Sequence, residues 1–463
     1  MTKSRSLRCS YRLALAVVAG LVLAACSGSP QASTETTPTT EAHNSGSTFK
    51  APTTGYVVYW DQDEEEDYYT SANGSQGQLI TPWDPNGQMC LLNDGTGRFV
   101  VGYDPTNPSQ DNPGGPPHHP FKQPAIGEEL MDPDGVWTGQ DLYVPGPYRM
   151  APGDPGEDSP KNAQGQFNGQ STYTGCAVDA EHNVFADDIG TAQGSFPIPT
   201  DGRLVEWFAP SYKTYCILYG PDAGGVDGAH HVDGTGGLSQ PGMMATLPNG
   251  NLLLPQAGSP SGGFGGQVTE IYHSSLPTSE SQCPDGVYPR SSLKTSVFVQ
   301  GSLSFLPVPM GVAFDPTCNC YAVDSIFGDS MTRTVVAWFD ADGKRVDRPL
   351  VPGETLSQFG HDANGFNPFG MAFAPNGTLY FIDIHIQCSS GFSNCGPQNF
   401  LGRVMRITFG SGLKPSAPQV IATDFAFPTS VTICVFGTGA ICPFPTHKTP
   451  LPSPETPAEA GEG

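Results

Sequence analysis

One turn, echoed six times, limits what this chain can fold into more than any single residue does. The segments WDPNGQMCLLND from Trp83, MDPDGVWTGQDLYV from Met131 and VDAEHNVFADD from Val178 share a pattern with TLPNGNLLLPQ from Thr246, FDPTCNCYAVD from Phe314 and FAPNGTLYFID from Phe373. Each reads as a turn of the Asp-Pro-x-Gly kind followed by an apolar, β-prone run. The second turn residues, Pro85, Pro133, Ala180, Pro248, Pro316 and Pro375, lie 48, 47, 68, 68 and 59 residues apart. A small β unit repeated in this way cannot bury its apolar surface alone, whereas stacked neighbours bury it together. The expectation is an all-β chain forming a β-propeller of six blades, with seven as the alternative.

The residues before the turns predict inner strands at 243–247, 311–314 and 370–373, and those after them second strands at 251–254, 321–323 and 379–382. Third strands follow at 204–208, 268–272, 334–339 and 403–407. Short runs of Val, Ile, Phe and Tyr between Gly and Pro form hairpin strands. The stretch from Phe427 to Ile433 reads as one more inner strand, expected to close the ring against N-terminal strands such as 56–60. No long stretch carries a 3.6-residue apolar period, so helices should be few.

The two ends have a different character. Lys3, Arg5, Arg8 and Arg12 precede an apolar run over 13–25, too short for a permanent membrane span, which needs about 20 residues. The run ends in Leu23-Ala24-Ala25-Cys26, which resembles the bacterial lipobox. That resemblance implies a signal peptide over 1–25 and a lipid anchor on Cys26, as in palmitate-bearing lipoproteins of the bacterial cell envelope. Residues 26–55 are rich in Ser, Thr, Pro and Gly and read as a flexible tether. The propeller is expected over 56–446 and a disordered Pro- and Glu-rich tail over 447–463. The expected attachment to the membrane is through the lipid alone, on the extracytoplasmic side, and the expected state is a monomer.

The formal charge of −24 argues against nucleic acid, which demands clustered Lys and Arg. It also argues against adhesion to anionic lipid. Of the 12 cysteines, ten lie beyond Cys9 and Cys26. An even set in an exported chain points to disulfides. Cys388 with Cys395 and Cys434 with Cys442 are the candidate local pairs, because each encloses a short Gly-containing loop. Cys318 and Cys320 are left open, since two cysteines so close on one strand point to the same face.

The run from Asn367 through Pro368-Phe369-Gly370-Met371-Ala372-Phe373 to Asp383 resembles an NHL-type repeat, as does Pro309-Met310-Gly311-Val312-Ala313-Phe314 on to Asp324. The resemblance covers residues 78–433 and extends to gluconolactonase-like and quinoprotein sugar-dehydrogenase propellers. It implies chemistry at one mouth of the central channel, where the start of each inner strand meets the end of each second strand. Asp94, Asp188, Asp324, Asn367 and Asp383 are the candidate ligands there, for calcium, which takes six to eight oxygens. His231, His361 and Asp383 are the candidate acid–base residues. The chain departs from both enzyme groups: the Glu-Gly-Pro-x-Trp opening of the first is missing, and Phe366 stands where the second usually carries Arg. Gly-x-Ser-x-Gly and Gly-Lys-Ser motifs are missing too. The expected function is therefore binding of a small molecule, glycan or protein outside the membrane by loops at the channel mouth. The alternative is a calcium-dependent lactone hydrolase or quinone-linked sugar dehydrogenase.

Overall fold

Middle strands such as Thr334–Phe339 (TVVAWF), Leu252–Gln256 (LLLPQ) and Leu379–Asp383 (LYFID) are buried at every residue. A strand with one wet face alternates apolar and polar residues, whereas these nearly continuous apolar runs require cover on both faces. The structure, a computed structural model, supplies that cover by stacking sheet on sheet. It describes residues 56–61, 66–71, 78–81, 85–92, 98–103, 125–131, 137–145, 173–188, 202–220, 238–258, 265–329, 331–355, 366–390, 393–397, 401–425 and 428–434.

These residues form six four-stranded antiparallel sheets, or blades, and one extra hairpin. Blade 1 orders Pro428–Cys434, Tyr56–Asp61, Glu66–Ser71 and Gln78–Thr81. Blade 2 has Pro85–Leu91, Phe99–Tyr103, Ala125–Met131 and Trp137–Pro145, and blade 3 has Tyr173–Val178, Val184–Asp188, Arg203–Trp207 and Tyr215–Tyr219. Blade 4 has Ala245–Thr246, Leu252–Gln256, Gln267–Ile271 and Thr295–Gln300, and blade 5 has Pro309–Asp315, Cys320–Ser325, Thr334–Phe339 and Val351–Pro352. Blade 6 has Pro368–Phe373, Leu379–Asp383, Gly402–Ile407 and Gln419–Phe425, with the hairpin Ile386–Ser390/Ser393–Pro397 inserted in it.

The first strand of each blade touches that of the next, from blade 1 round to blade 6 and back, so the ring is closed. The C-terminal strand of blade 1 pairs with the N-terminal one, Tyr56 opposite Cys434 and Tyr59 opposite Val431. Six blades and this closure match the sequence reading. Four of the six turns (at Ala180, Pro248, Pro316 and Pro375) do join a first strand to a second. The other two do not. Pro85 lies inside the first strand of blade 2, and Pro133 falls between its third and fourth strands. Asp-Pro-x-Gly is favourable in any tight β connection, so the motif cannot tell an inner hairpin from an outer one.

Among the described residues, separate apolar layers fill the seams between blades. Between blades 5 and 6, Ala322, Val336 and Trp338 meet Phe366, Leu379 and Phe381. Between blades 3 and 4, Phe185, Leu204 and Leu218 meet Leu252, Leu254 and Ile271. At the far end of blade 5, Arg348 lies over the rings of Trp338 and Phe409, at 5.1 and 5.4 Å, and bonds to the buried Asp315 at 2.5 Å. Cations over aromatic faces and a paired carboxylate keep a buried guanidinium tolerable.

Three disulfides are present among the described residues. Cys90–Cys176 ties the first strands of blades 2 and 3, and Cys216–Cys283 ties blade 3 to the loops of blade 4. Cys318–Cys320 is also joined. The two are not on one strand: Asn319, at φ 52°, turns the chain so that Cys318 belongs to the turn and Cys320 opens the second strand. Cys388 and Cys395 face each other across the extra hairpin, as a local pair requires. Cys434 ends the closing strand, and Cys442 lies outside the described residues.

Near the axis the first strands approach backbone to backbone. Met243 N–H donates to Met310 O at 2.7 Å, and Val312 N–H to Met243 O at 3.1 Å, linking blades 4 and 5. A Cβ on Gly242 would lie 2.0 Å from Met310 O, and the obstacle is backbone that cannot swing away. Gly242→Ala should therefore destabilise the chain by at least ~2 kcal/mol, read as a lowered urea midpoint. A midpoint equal to that of the unsubstituted chain would mean that the first strands are not this close.

Candidate functional site

At the mouth, a repeated device ends the second strands of blades 4, 5 and 6. In blade 4, Gln256 Oε1 accepts the Ser239 N–H at 3.1 Å. In blade 5, Ser325 Oγ accepts the Val308 N–H at 2.9 Å. In blade 6, Asp383 Oδ1 accepts the N–H groups of Asn367 and His385 at 2.8 and 2.9 Å. Pro241, Pro309 and Pro368 stand opposite Gln256, Ser325 and Asp383, so the three residues are equivalent. A polar side chain at this position satisfies backbone donors where the chain enters the blade.

Asp383 is fully committed to this role. Its Oδ2 also accepts from Arg403 Nε at 2.8 Å and from the terminal guanidinium nitrogen. Arg403 in turn donates to His385 Nδ1 at 2.9 Å; because guanidinium only donates, that ring nitrogen is an acceptor. Asn367 is committed as well. Its Nδ2 donates to Glu354 Oε2 at 3.0 Å and Ile326 O at 3.2 Å, and its Oδ1 accepts the Ile386 N–H at 2.9 Å. One side chain thus holds the exit of blade 5, the loop carrying Glu354 and the chain beyond Asp383.

Asp324 differs from both. It precedes Ser325 by one residue and so corresponds to Ile382, not to Asp383. A shift of one residue in a strand turns the side chain to the opposite face. Its carboxylate lies between the first strands of blades 5 and 6, where Oδ2 accepts the Gly370 N–H at 3.0 Å and a Cβ on Gly311 would meet it at 2.8 Å. Oδ1 is buried without a hydrogen-bond partner among the described residues. Burial pushes the Asp324 carboxyl up to about 6, against the opposing effect of the N–H groups of Gly370, Gly311 and Met310. Beside it, Gly370 adopts φ 93°, and a Cβ there would overlap the Met243 sulfur. The Met243 thioether of blade 4 therefore reaches across to Gly370 of blade 6.

Of the calcium candidates, Asp324 and Asp383 are thus on different faces, and neither belongs to a cluster of three His, Cys, Asp or Glu donors among the described residues. Asp188 ends its second strand opposite Arg203, as Asp383 does opposite Arg403. Asp94, His231 and His361 lie outside the described residues, as does Cys26. Two features at the axis and seams escaped the sequence reading. Met243 opens the inner strand expected over 243–247, and its residue type carries no sign that it reaches blade 6. Glu206 is a lone acid in the apolar run Arg203–Trp207, and that isolation was the available signal.

No family model matches this chain, and no curated protein does. Solved structures similar to it include a chain of the nidogen–laminin complex, with 12% identity over 82% of this chain and 98% of that one and a TM-score of 0.42. The luciferin-regenerating enzyme shares 14% identity over 79% and 94%, with a TM-score of 0.40. The calcium-binding protein regucalcin from Agrobacterium tumefaciens shares 12% over 71% and 81%, with a TM-score of 0.38. At such identities the likeness assigns neither activity nor ligand. The class, a six-bladed β-propeller, follows from this chain's own strand order and closure.

The buried Asp324 has a pH consequence. Its folded-state pKa exceeds the ordinary 3.8, so between pH 4 and 6 the folded chain keeps a proton that the unfolded chain has lost. Its contribution to stability therefore improves as pH falls through 6 and is poorest above it. Asp324→Asn keeps the acceptor for Gly370 and removes the charge. The variant should be more favourable relative to the natural chain at pH 7.5 than at pH 4 by ~2 kcal/mol, measured by urea unfolding at both values. An equal effect at the two pH values would show that Asp324 carries no such burden.

Proposed function

We propose that this chain is an exported, lipid-anchored propeller that binds a small molecule, glycan or protein outside the membrane through its channel-mouth loops. The observation that carries this reading is the commitment of Asp383 and Asn367. The mouth residues best suited to chemistry are used to hold backbone, which makes the mouth a rigid frame for loops, and loops on rigid frames are where recognition concentrates. The lipobox-like Leu23-Ala24-Ala25-Cys26 and the Ser/Thr-rich tether support a head held at a distance from the bacterial envelope membrane. The acidic balance favours solubility and disfavours nucleic acid.

Asp324 favours a second reading. A buried carboxyl with one unpartnered oxygen at the axis suits an ion or a proton-transfer role, as a calcium-dependent lactone hydrolase or quinone-linked sugar dehydrogenase would need. Calcium titration of the soluble chain from Ser27 onward, followed by calorimetry and melting, separates the two. The binding reading expects no calcium site that depends on Asp324. A stoichiometric site lost in Asp324→Asn, together with lactone hydrolysis or sugar oxidation lost in the same variant, would replace it with the enzyme. Anchoring is checked separately: Cys26→Ser should move the chain from the membrane fraction to the soluble one and abolish palmitate labelling. Unchanged partition would remove the anchor from the proposal.

A further inference from the structure

On the face opposite the mouth, the turn between the first two strands of blade 5 carries the Cys318–Cys320 disulfide. A cross-link gains stability from the loop it closes, and the gain grows with the length of that loop. The cysteines of Cys90–Cys176 and Cys216–Cys283 are separated by 86 and 67 residues, and each bridge joins two blades. Cys318 and Cys320 are separated by 2, and their bridge stays within one turn. As a staple it contributes the least of the three.

The surroundings of the two sulfurs are those of a reactive pair. Cys318 Sγ is 2.9 Å from Arg348 Nη1, and Cys320 Sγ is 4.0 Å from the same nitrogen. The Arg348 side chain is 2% exposed, so solvent screens its charge poorly. Its Nε and Nη2 have no hydrogen-bond partner among the described residues. A guanidinium placed here favours a thiolate over a thiol, which eases opening of the bridge. Asp315 opposes it, since one carboxylate oxygen lies within 4.8 Å of both sulfurs. That carboxylate is already shared among Arg348, the Trp338 indole N–H, and the backbone N–H and hydroxyl of Thr317. Access is one-sided: Cys320 is buried, whereas Cys318 is half-buried between exposed Thr317 and Asn319.

We propose that Cys318–Cys320 is a redox-active disulfide that accepts two electrons from a dithiol of another polypeptide by thiol–disulfide exchange. One thiolate of that dithiol attacks Cys318 Sγ, the accessible sulfur. The Cys318–Cys320 bond breaks, and its electron pair leaves on Cys320 Sγ, 4.0 Å from the guanidinium. The partner's second thiolate then attacks the partner sulfur of the mixed disulfide and expels Cys318 as a thiolate beside Arg348. The partner ends with a disulfide and this chain with two reduced cysteines; protons shed by the partner's thiols pass through solvent to the reduced pair. A polypeptide is the fitting donor because the attacked sulfur sits in an exposed turn, within reach of an extended chain. The site is independent of whatever the mouth binds.

Equilibration of the oxidised full chain with glutathione buffers, followed by alkylation and peptide mass spectrometry, tests this. Cys318–Cys320 should be half reduced at a ratio of squared reduced to oxidised glutathione at least about tenfold lower than either inter-blade bridge needs. The oxidised chain should also convert about one equivalent of a reduced Cys-x-x-Cys peptide to its disulfide, and Cys318→Ser should abolish this. Cys320→Ser, given the same peptide in its disulfide form, should stop as a mixed disulfide on Cys318. Arg348→Met combined with Asp315→Asn removes both buried charges. Where that variant melts like the natural chain, its bridge should need a glutathione ratio about tenfold higher. The natural-chain measurements decide the matter if it fails to fold. A Cys318–Cys320 bridge that opens only together with the other two, or a peptide left unoxidised, overturns the proposal. An unchanged ratio in the folded double variant overturns the role given to Arg348.

Discussion

Strands that need apolar cover on both faces cannot stop at one sheet, and this requirement organises the whole molecule. Each blade supplies one wall of two seams, and the last blade must find the first or leave two walls wet. Closing the ring also removes exposed sheet edges near the axis, where unpaired backbone groups would otherwise invite other strands. Trp338 shows how tightly this is arranged: its ring lies in the seam between blades 5 and 6 while its indole N–H donates to buried Asp315 at 3.0 Å. Packing and polar satisfaction are met by the same side chain.

At the mouth, the same economy explains why polar residues recur. In blades 4, 5 and 6 the chain enters the first strand with N–H groups that have no sheet partner. Gln256, Ser325 and Asp383 meet that need with three different side chains, so the position demands an acceptor and not a particular chemistry. Asp324 and Glu206 fall outside this pattern. Both are buried carboxyls with incomplete hydrogen bonding, one at the axis and one in a seam. Such groups persist where folding alone would have replaced them, and they are where function is best sought.

Much of the architecture was legible in the sequence. The third strands, the second strands and the closing strand after Phe427 fall where Val, Ile and Phe runs meet Gly and Pro, because local preference and burial agree there. The phase of side chains was not legible. Asp324 and Asp383 end similar runs, yet Ser325, not Asp324, holds the position equivalent to Asp383, and that offset of one residue places the two carboxylates on opposite faces. Turns were legible as turns but not by rank within a blade, as Pro133 shows. Disulfides between blades, Cys90–Cys176 and Cys216–Cys283, depend on which seams meet in space, and spacing along the chain carries no trace of that.

Blade 1 takes its inner strand, Pro428–Cys434, from one end of the chain and its remaining strands from the other. A chain synthesised from its N-terminus delivers Tyr56–Asp61 first and the matching strand last. Until residue 434 has emerged, the facing walls of blades 6 and 2 lack their shared neighbour, and the ring is an open crescent with two wet apolar surfaces. Arrival of the last strand and ring closure therefore become one event, and a truncation of a few dozen C-terminal residues would leave the ring unclosed however well the other five blades were made.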